Sequence, residues 1–256
     1  MGITLQKKLK FIGIDLGWYS HSSGLSCLEW QGNNLRILAI DIKLSITEIL
    51  AWCDALLAAT EPALIAVDAP TLIPNATGMR VPDKLTHKYF GRYHAGCYPA
   101  NLKRPFAQRT IAFGLSLEER GFLHAPEISP QQPGRYQIEV YPHAAMVQLF
   151  QLKRILKYKK GKLAERKAEL TKLQQYIQEI LPQLTPSLSL DGFLSAIAAP
   201  LDPLTGVALK AIEDQLDSLI CAYIGAYWWY WGEERNQVLG DRDTGYIIIP
   251  SIPRAL

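Results

Sequence analysis

What the chain has little of narrows it first. Only four of its 256 residues are cysteine (Cys27, Cys53, Cys97 and Cys221), and no two stand at a C-x-x-C spacing. A tetrahedral zinc site needs clustered ligands, and a disulfide framework belongs to small secreted domains. Neither is expected, and a reducing cytoplasm fits best. His94 and Cys97 lie three apart, but one such pair falls short of a ligand set. The net charge is +3, too small a bias to make the whole surface a nucleic-acid binder, so such binding has to come from local patches. No apolar run reaches the roughly 20 residues that span a bilayer. The most membrane-like stretch, "LICAYIGAYWWYW" at 219–231, reads as a buried helix with its aromatic stripe in the core. The start, "MGITLQKKLKF", has basic residues with no long apolar region after them, which is not a signal-peptide pattern. The chain also lacks an internal repeat, a low-complexity tract and a GxxxxGK[ST] phosphate loop.

What is present is apolar material, 48% of residues, which is enough for a well-buried core. One domain over 1–256 with an inserted basic helical region at 151–185 is the expected organisation. "KFIGIDLGWYS" reads as a central strand and a tight turn. "GLSCLEWQGNNLRILAIDIK" reads as two strands around a Gly32-Asn33-Asn34 hairpin, so three antiparallel strands open the fold. Ser45 and Glu48 stand at a capping-box spacing, and Ile49, Trp52, Cys53, Leu56 and Leu57 mark one face of the helix that follows. "ALIAVDAP" and "RYQIEVYP" are two further short strands, while 71–135 reads as irregular chain of the kind that carries function. In the basic region, Leu163, Leu170, Leu173, Ile177 and Ile180 trace an amphipathic helix. After Pro182 and Pro186 a last helical block runs to about Trp231, with Asp202 or Thr205 as its cap. "TGYIIIPSIP" reads as a terminal strand or extended segment.

Three of the apolar runs place a carboxylate at or near their carboxyl ends: Asp15, Asp68 and Glu139. In an open α/β sheet the site lies outside the carboxyl ends of parallel strands. If these strands are neighbours, the acids converge, and their repulsion raises their pKa values unless a cation is present. Mg²⁺ or Mn²⁺ is the natural partner of an all-oxygen site. "AIEDQLDSLICAY" adds Asp214 and Asp217, three apart on one helix face and well inside the helix rather than in its first turn. Two strand-end acids and a helix acid match the needs of two-metal phosphodiester hydrolysis. In the basic region, Lys157, Lys159, Lys160 and Arg166 are candidates for phosphate contacts, with Tyr158 adding stacking; a solvated face is the alternative. "HKYFGRYHAGCYPANLKR" carries His87, Arg92, His94 and Arg104 among tyrosines. It is suited to holding a phosphate or a base, or to covering the sheet, with His94 a candidate acid or base.

The ordered set "FIGIDLGW", "LIAVDAP", "IEVYP", "LKYKKG…ER" and "EDQLDSLICAYIGAY" resembles the domain-of-unknown-function family 429 (DUF429), over about residues 9–252. That family is described as predicted nucleases of the RNase H-like fold. The resemblance implies a mixed α/β sheet flanked by helices, acting on DNA or RNA. It implies a first-strand metal ligand at Asp15, a fourth-strand ligand at Asp68, and a last-helix acid at Asp217 or Asp214. Glu139 falls in the fifth strand, where the wider superfamily does not always keep an acid. Two other functions stay open. One is a phosphotransferase or ATPase of the actin-like fold, which also opens on Asp-x-Gly but usually adds a second phosphate loop. The other is a non-catalytic module binding nucleic acid or protein.

Overall fold

The structure is a computed structural model and describes residues 9–18 and 22–252. Most of the segment read as lacking a signal peptide lies outside the described residues. β1 (Lys10–Asp15), β2 (Ser23–Trp30) and β3 (Asn34–Lys43) form the three antiparallel strands expected from the sequence. Gly32, at a φ of 81°, supplies the left-handed backbone that the hairpin turn requires. α1 (Ile46–Leu56) starts behind the expected capping box: Ser45 Oγ accepts from the Glu48 N–H, and Glu48 accepts from the Ser45 N–H.

β4 (Ala63–Val67), β5 (Leu123–His124), β6 (Arg135–Glu139) and β7 (Ser187–Ser189) complete a seven-stranded sheet in the order β5-β6-β4-β1-β2-β3-β7. Pairing is antiparallel only among β1, β2 and β3, and parallel elsewhere. With helices on both faces, this mixed sheet is consistent with the RNase H-like fold. The two-residue β5 makes the Glu139 strand the sixth in the chain rather than the fifth.

The segment 71–135 is more regular than its composition suggests, for it holds α2 (Val81–Phe90) and α3 (Ala107–Glu118). The buried positions of α2 include polar Asp83 and Thr86, and α3 carries Gly114 at mid-length, so neither shows a clean apolar stripe. α4 (Pro142–Leu149) follows β6. The basic region is helical only in its second part, α5 (Leu163–Ile180), where Leu170, Leu173 and Ile177 are buried but Leu163 is exposed. Residues 151–162 run without regular structure, and Gly161, at a φ of 118°, separates them from the helix. A short α6 (Leu194–Ile197) precedes α7 (Gly206–Trp231), whose N-cap position is Thr205. The terminal strand is one arm of a hairpin, β8 (Asn236–Asp241) with β9 (Gly245–Pro250), and a bridge from Val140 to Ile248 joins it to the end of β6.

Two cores sandwich the sheet. Ile12, Ile14, Leu25 and Ile65 pack with Ile49 and Cys53 of α1 and Phe113 and Leu117 of α3. Phe11, Leu64 and Ile138, on the opposite face, pack with α7, α4 and α5. The aromatic stripe of α7 belongs to this second core, with Trp228 fully buried. Burying a side chain of that size contributes on the order of 3 kcal/mol. No helix among the described residues is long and apolar enough to cross a membrane.

α7 lies unusually close to β1 and β2. A Cβ on Gly13 would stand 2.0 Å from the Ser218 carbonyl oxygen, and one on Gly24 would stand 1.8 Å from that of Asp214. Only glycine permits this approach. Gly24 is the register partner of Asp15, so the contact seats the acidic turn of α7 against the tip of β1.

Candidate active site

Strand register decides which acids meet. Ile14 pairs with Val67, and Val67 pairs with Glu139. The Asp68 N–H donates to the Ile14 carbonyl at 2.8 Å and the Val140 N–H to the Val67 carbonyl at 3.0 Å, which continues that register by one residue. Asp15 and Asp68 are therefore neighbours on one face, level with Val140. It is the α7 face, since alternate residues along β1 and β4 (Phe11, Gly13, Leu64, Ala66) pack on α7. Glu139 has the opposite parity and leaves the sheet on the other side.

Glu139 is accordingly not part of the acid cluster. Arg80 holds it in a fork: Nη2 donates to Oε1 at 2.6 Å and Nη1 to Oε2 at 2.8 Å. The same guanidinium donates to Asp83 Oδ1, and Asp83 also accepts from the Arg80 and Ala100 N–H groups. All three charged side chains are buried. This triad ties the start of α2 and the loop at residue 100 to the end of β6.

The two α7 acids, both candidates for the last-helix place, have different surroundings. Asp214 lines the cleft, accepts from Ser22 Oγ at 2.9 Å and pairs with Lys210. Asp217 is equally buried and does not line the cleft. Tyr158 Oη donates to Asp217 Oδ1 at 2.5 Å, and Lys159 Nζ stands 2.6 Å from Oδ2. Lys159 Nζ is also 3.8 Å from Asp15 Oδ2, so one ammonium lies between the β1 acid and the α7 acid.

The electrostatics follow from burial and crowding. Burial raises the Asp15 carboxyl well above its usual range. The Lys159 ammonium pulls it back, and Asp217, Asp68 and Asp214 push it up again. Asp68 is raised to about 7, by burial first, against the pull of Lys159. Burial alone would depress Lys159, but Asp15 and Asp217 outweigh it and hold the ammonium charged well past its ordinary value.

The residues expected to contact nucleic acid separate into three groups. Lys159 and Lys160 line the cleft. Lys157 and Arg92 are exposed outside it, and Arg92 donates to Tyr93 Oη at 2.6 Å. Tyr158 and Arg166 are corrections. Tyr158 is wholly buried, so its ring is not open to stack a base. Arg166 is spent inside the protein, donating to the Tyr158 carbonyl and to Glu213. A phenol that had to anchor a buried Asp217 left the surface with it. His94 is also corrected as a candidate acid or base: it is exposed at a left-handed turn after α2 and does not line the cleft. His87 does line it, with Nε2 2.9 Å from the Cys97 carbonyl oxygen.

Sequence reading missed Arg80, Asp83, Lys210 and His143. His143 lines the cleft with its ring 5.5 Å from that of Tyr158, and its Nδ1 is buried without a hydrogen bond. Burial, with Lys159 adding, depresses its imidazole to about 4, so it is neutral at pH 7. Its place two residues after "EVY" was the only signal. Asp83 stands three residues after Arg80, a capping-box spacing that hid its ion pair.

Mg²⁺ and Mn²⁺ take oxygen donors. Asp15, Asp68 and Asp217 offer only oxygens, and the buried Asp217 Oδ2 has no aligned hydrogen bond despite the nearby ammonium. By donor chemistry these residues fit a hard divalent cation. As they stand, no three Asp, Glu, His or Cys side chains among the described residues are gathered to hold one, and Lys159 occupies the space between the acids. A cation and the ammonium would compete for the same carboxylates.

The cleft above these acids has a volume of about 940 Å³. Asp15, Asp68 and Asp214 line one part, Lys159, Lys160 and Lys210 border them, and Trp18 and Tyr98 contribute aromatic surface. Such a volume accommodates a group of nucleotide size. No curated protein and no solved structure matches the chain. One family does match, over residues 13–244, and it is described as a protein of unknown function, DUF429. With nearly its whole length covered, the chain belongs to the DUF429 family.

Proposed function

We propose that this cleft hydrolyses phosphodiester bonds of nucleic acid, as a Mg²⁺- or Mn²⁺-dependent nuclease. One observation carries the reading: Asp15 and Asp68 end neighbouring parallel strands in register, and α7 sets Asp217 against them. Oxygen-only acids converging at strand ends are what phosphoryl chemistry with divalent cations requires. Asp15, Asp68 and Asp217 would hold the cation, which when bound supplies Lewis acidity toward the phosphate and lowers the pKa of a water. Lys160 and Lys210 neutralise phosphate charge at the rim. Tyr158 fixes the Asp217 carboxylate, and the Arg80–Glu139–Asp83 triad holds the far wall. Attack of water on phosphorus, with the 3′ oxygen leaving, gives a 3′-hydroxyl and a 5′-phosphate. A cytoplasmic setting is part of the proposal, supported by four free thiols.

One observation favours a second reading, a non-catalytic binding module. The Lys159 ammonium already pairs with Asp217 and lies near Asp15, as in a purely structural ion cluster. Calorimetric titration with Mn²⁺ separates the two, performed with and without a single-stranded oligonucleotide. The nuclease reading expects binding by the wild type, no binding by a folded Asp15→Asn variant, and Mn²⁺-dependent strand cleavage. No binding at millimolar Mn²⁺ and no cleavage would leave the binding module.

A further inference from the structure

The acids and lysines explain only part of the cleft, and its aromatic side has no role in hydrolysis. Trp18 and Tyr98 both line it. Tyr98 is 56% exposed, a high value for a ring lining a cleft. Yet the ring is held in place. It meets Trp18 edge-on, with centroids 5.6 Å apart, and Phe106 at 6.4 Å. Trp18 packs on buried Phe106 at 4.5 Å. The Arg104 guanidinium lies 4.8 Å over the Tyr98 ring and donates to its hydroxyl and to the Pro99 carbonyl. Arg104 does not itself line the cleft, so it braces the ring from outside. Open aromatic surface that is already rigid binds a flat partner at little entropic cost.

We propose that Trp18 and Tyr98 form a base-stacking subsite, and that the substrate is a single-stranded nucleic acid. The inference rests on the nuclease reading above and specifies what that site takes. A phosphate must descend to Asp15, whose carboxyl is 12% exposed, between Lys159, Lys160 and Lys210. The base of the same or the adjoining nucleotide then meets the aromatic wall. Every base has a π face, so the contact tolerates any sequence. A duplex keeps its bases stacked on one another and presents only phosphates and groove edges, so it cannot reach the rings. Lysines flanking exposed aromatics are the combination that single-strand binding uses. Tyr158, the stacking residue expected from the sequence, is buried, and the "GCYPANLKR" segment supplies the open ring in its place.

The test is fluorescence anisotropy with three labelled probes, in EDTA so that no strand is cut. They are a short single-stranded oligodeoxynucleotide, an abasic strand of the same length, and a hairpin duplex closed by a base-free linker. The wild type should bind the base-bearing strand roughly ten-fold or more tighter than the abasic one. It should also prefer the single strand to the hairpin. Tyr98→Ala should bring the base-bearing and abasic strands to similar affinity, and Tyr98→Phe should restore the difference. Tyr98 is exposed, so the fold tolerates these changes. Equal wild-type affinity for abasic and base-bearing strands would overturn the stacking subsite and leave the nuclease reading standing. So would tight hairpin binding, or a preference that survives in both Tyr98→Ala and Trp18→Phe/Tyr98→Ala. No binding of any probe would count against both.

Discussion

The Lys159 ammonium lies 2.6 Å from Asp217 and 3.8 Å from Asp15, where a divalent cation would need to bind. A single charge there lets the acids remain buried without a metal, and it opposes metal entry. Removing it should therefore strengthen metal binding while weakening the apo protein. Lys159→Met should bind Mn²⁺ roughly ten-fold tighter than the wild type at pH 8 in calorimetry, the equivalent of about one lost charge interaction. It should also unfold at lower temperature without metal. Unchanged or weaker Mn²⁺ affinity in a folded variant would mean that the ammonium and the metal do not share the site. Sequence placed Lys159 among phosphate-binding residues, and from one dimension nothing more could be read. Its partner Asp217 is 58 positions away in the chain, and only the packing of the 151–162 segment against α7 brings the two together.

α7 carries the site as an element. Its acidic turn meets β1 and β2 over Gly13 and Gly24, where backbone touches backbone. Ser26 and Ser218 hydroxyls, 2.7 Å apart, fasten the same contact. Gly24→Ala should push α7 off the sheet just where Asp214 and Asp217 sit. Overpacking of this kind costs about 1–3 kcal/mol or more, and here the clash is with rigid backbone. The expected result is a lowered melting temperature together with lost Mn²⁺ binding. Wild-type binding with only lowered stability would show that the acids tolerate displacement of the helix. At this scale sequence was legible wherever a period was clean: β1, β2, β3 and α1 stand where the apolar pattern put them, and α7 ends at Trp231 as expected, although β7 and α6 take the first part of the block read as helix after Pro186. α2 and α3 were not legible, because buried Asp83 and Thr86 break the one stripe and Gly114 interrupts the other. Strand parity was out of reach for a different reason. All three strand-end acids look alike in a list, but a one-residue offset in register sends Glu139 to the opposite face and to Arg80.

Across the whole molecule, a buried histidine far from the acids links folding to pH. His124 in β5 sits with Nδ1 3.0 Å from Tyr246 Oη in β9, joining the sheet edge to the terminal hairpin. Burial first, and Arg242 second, depress its imidazole from 6.5 to about 4. Glu118, 3.5 Å from Nε2 and partly exposed, does not offset this. The unfolded chain takes up this proton as pH falls through 6.5, and the folded chain only near 4. Between those values the unfolded state binds more protons, so stability is lost on acidification by up to ~1.4 kcal/mol per pH unit from this group. His124→Gln does not titrate and cancels every other group in the comparison. The stability advantage of the wild type over the variant at pH 7 should shrink by pH 4.5 in thermal unfolding. A constant difference would mean that folding does not shift the His124 imidazole.

The supply of chemistry was readable from one dimension, and so was local order wherever the apolar period was clean. Apolar period, capping residues and turn residues act over a few positions, so they specify strands, helices and the acids at their ends whatever the rest of the chain does. The ordered motifs extended this to family and fold. Which acids meet was decided only in three dimensions. It depends on strand register, on the face each side chain leaves by, and on how closely α7 can approach a glycine. The same holds for burial. Tyr158 and Tyr98 are the same residue type in similarly basic surroundings, yet one is sealed against Asp217 and the other stands open in the cleft. The reason is physical: burial and electrostatic pairing are sums over neighbours distant in the chain, and no local pattern contains them.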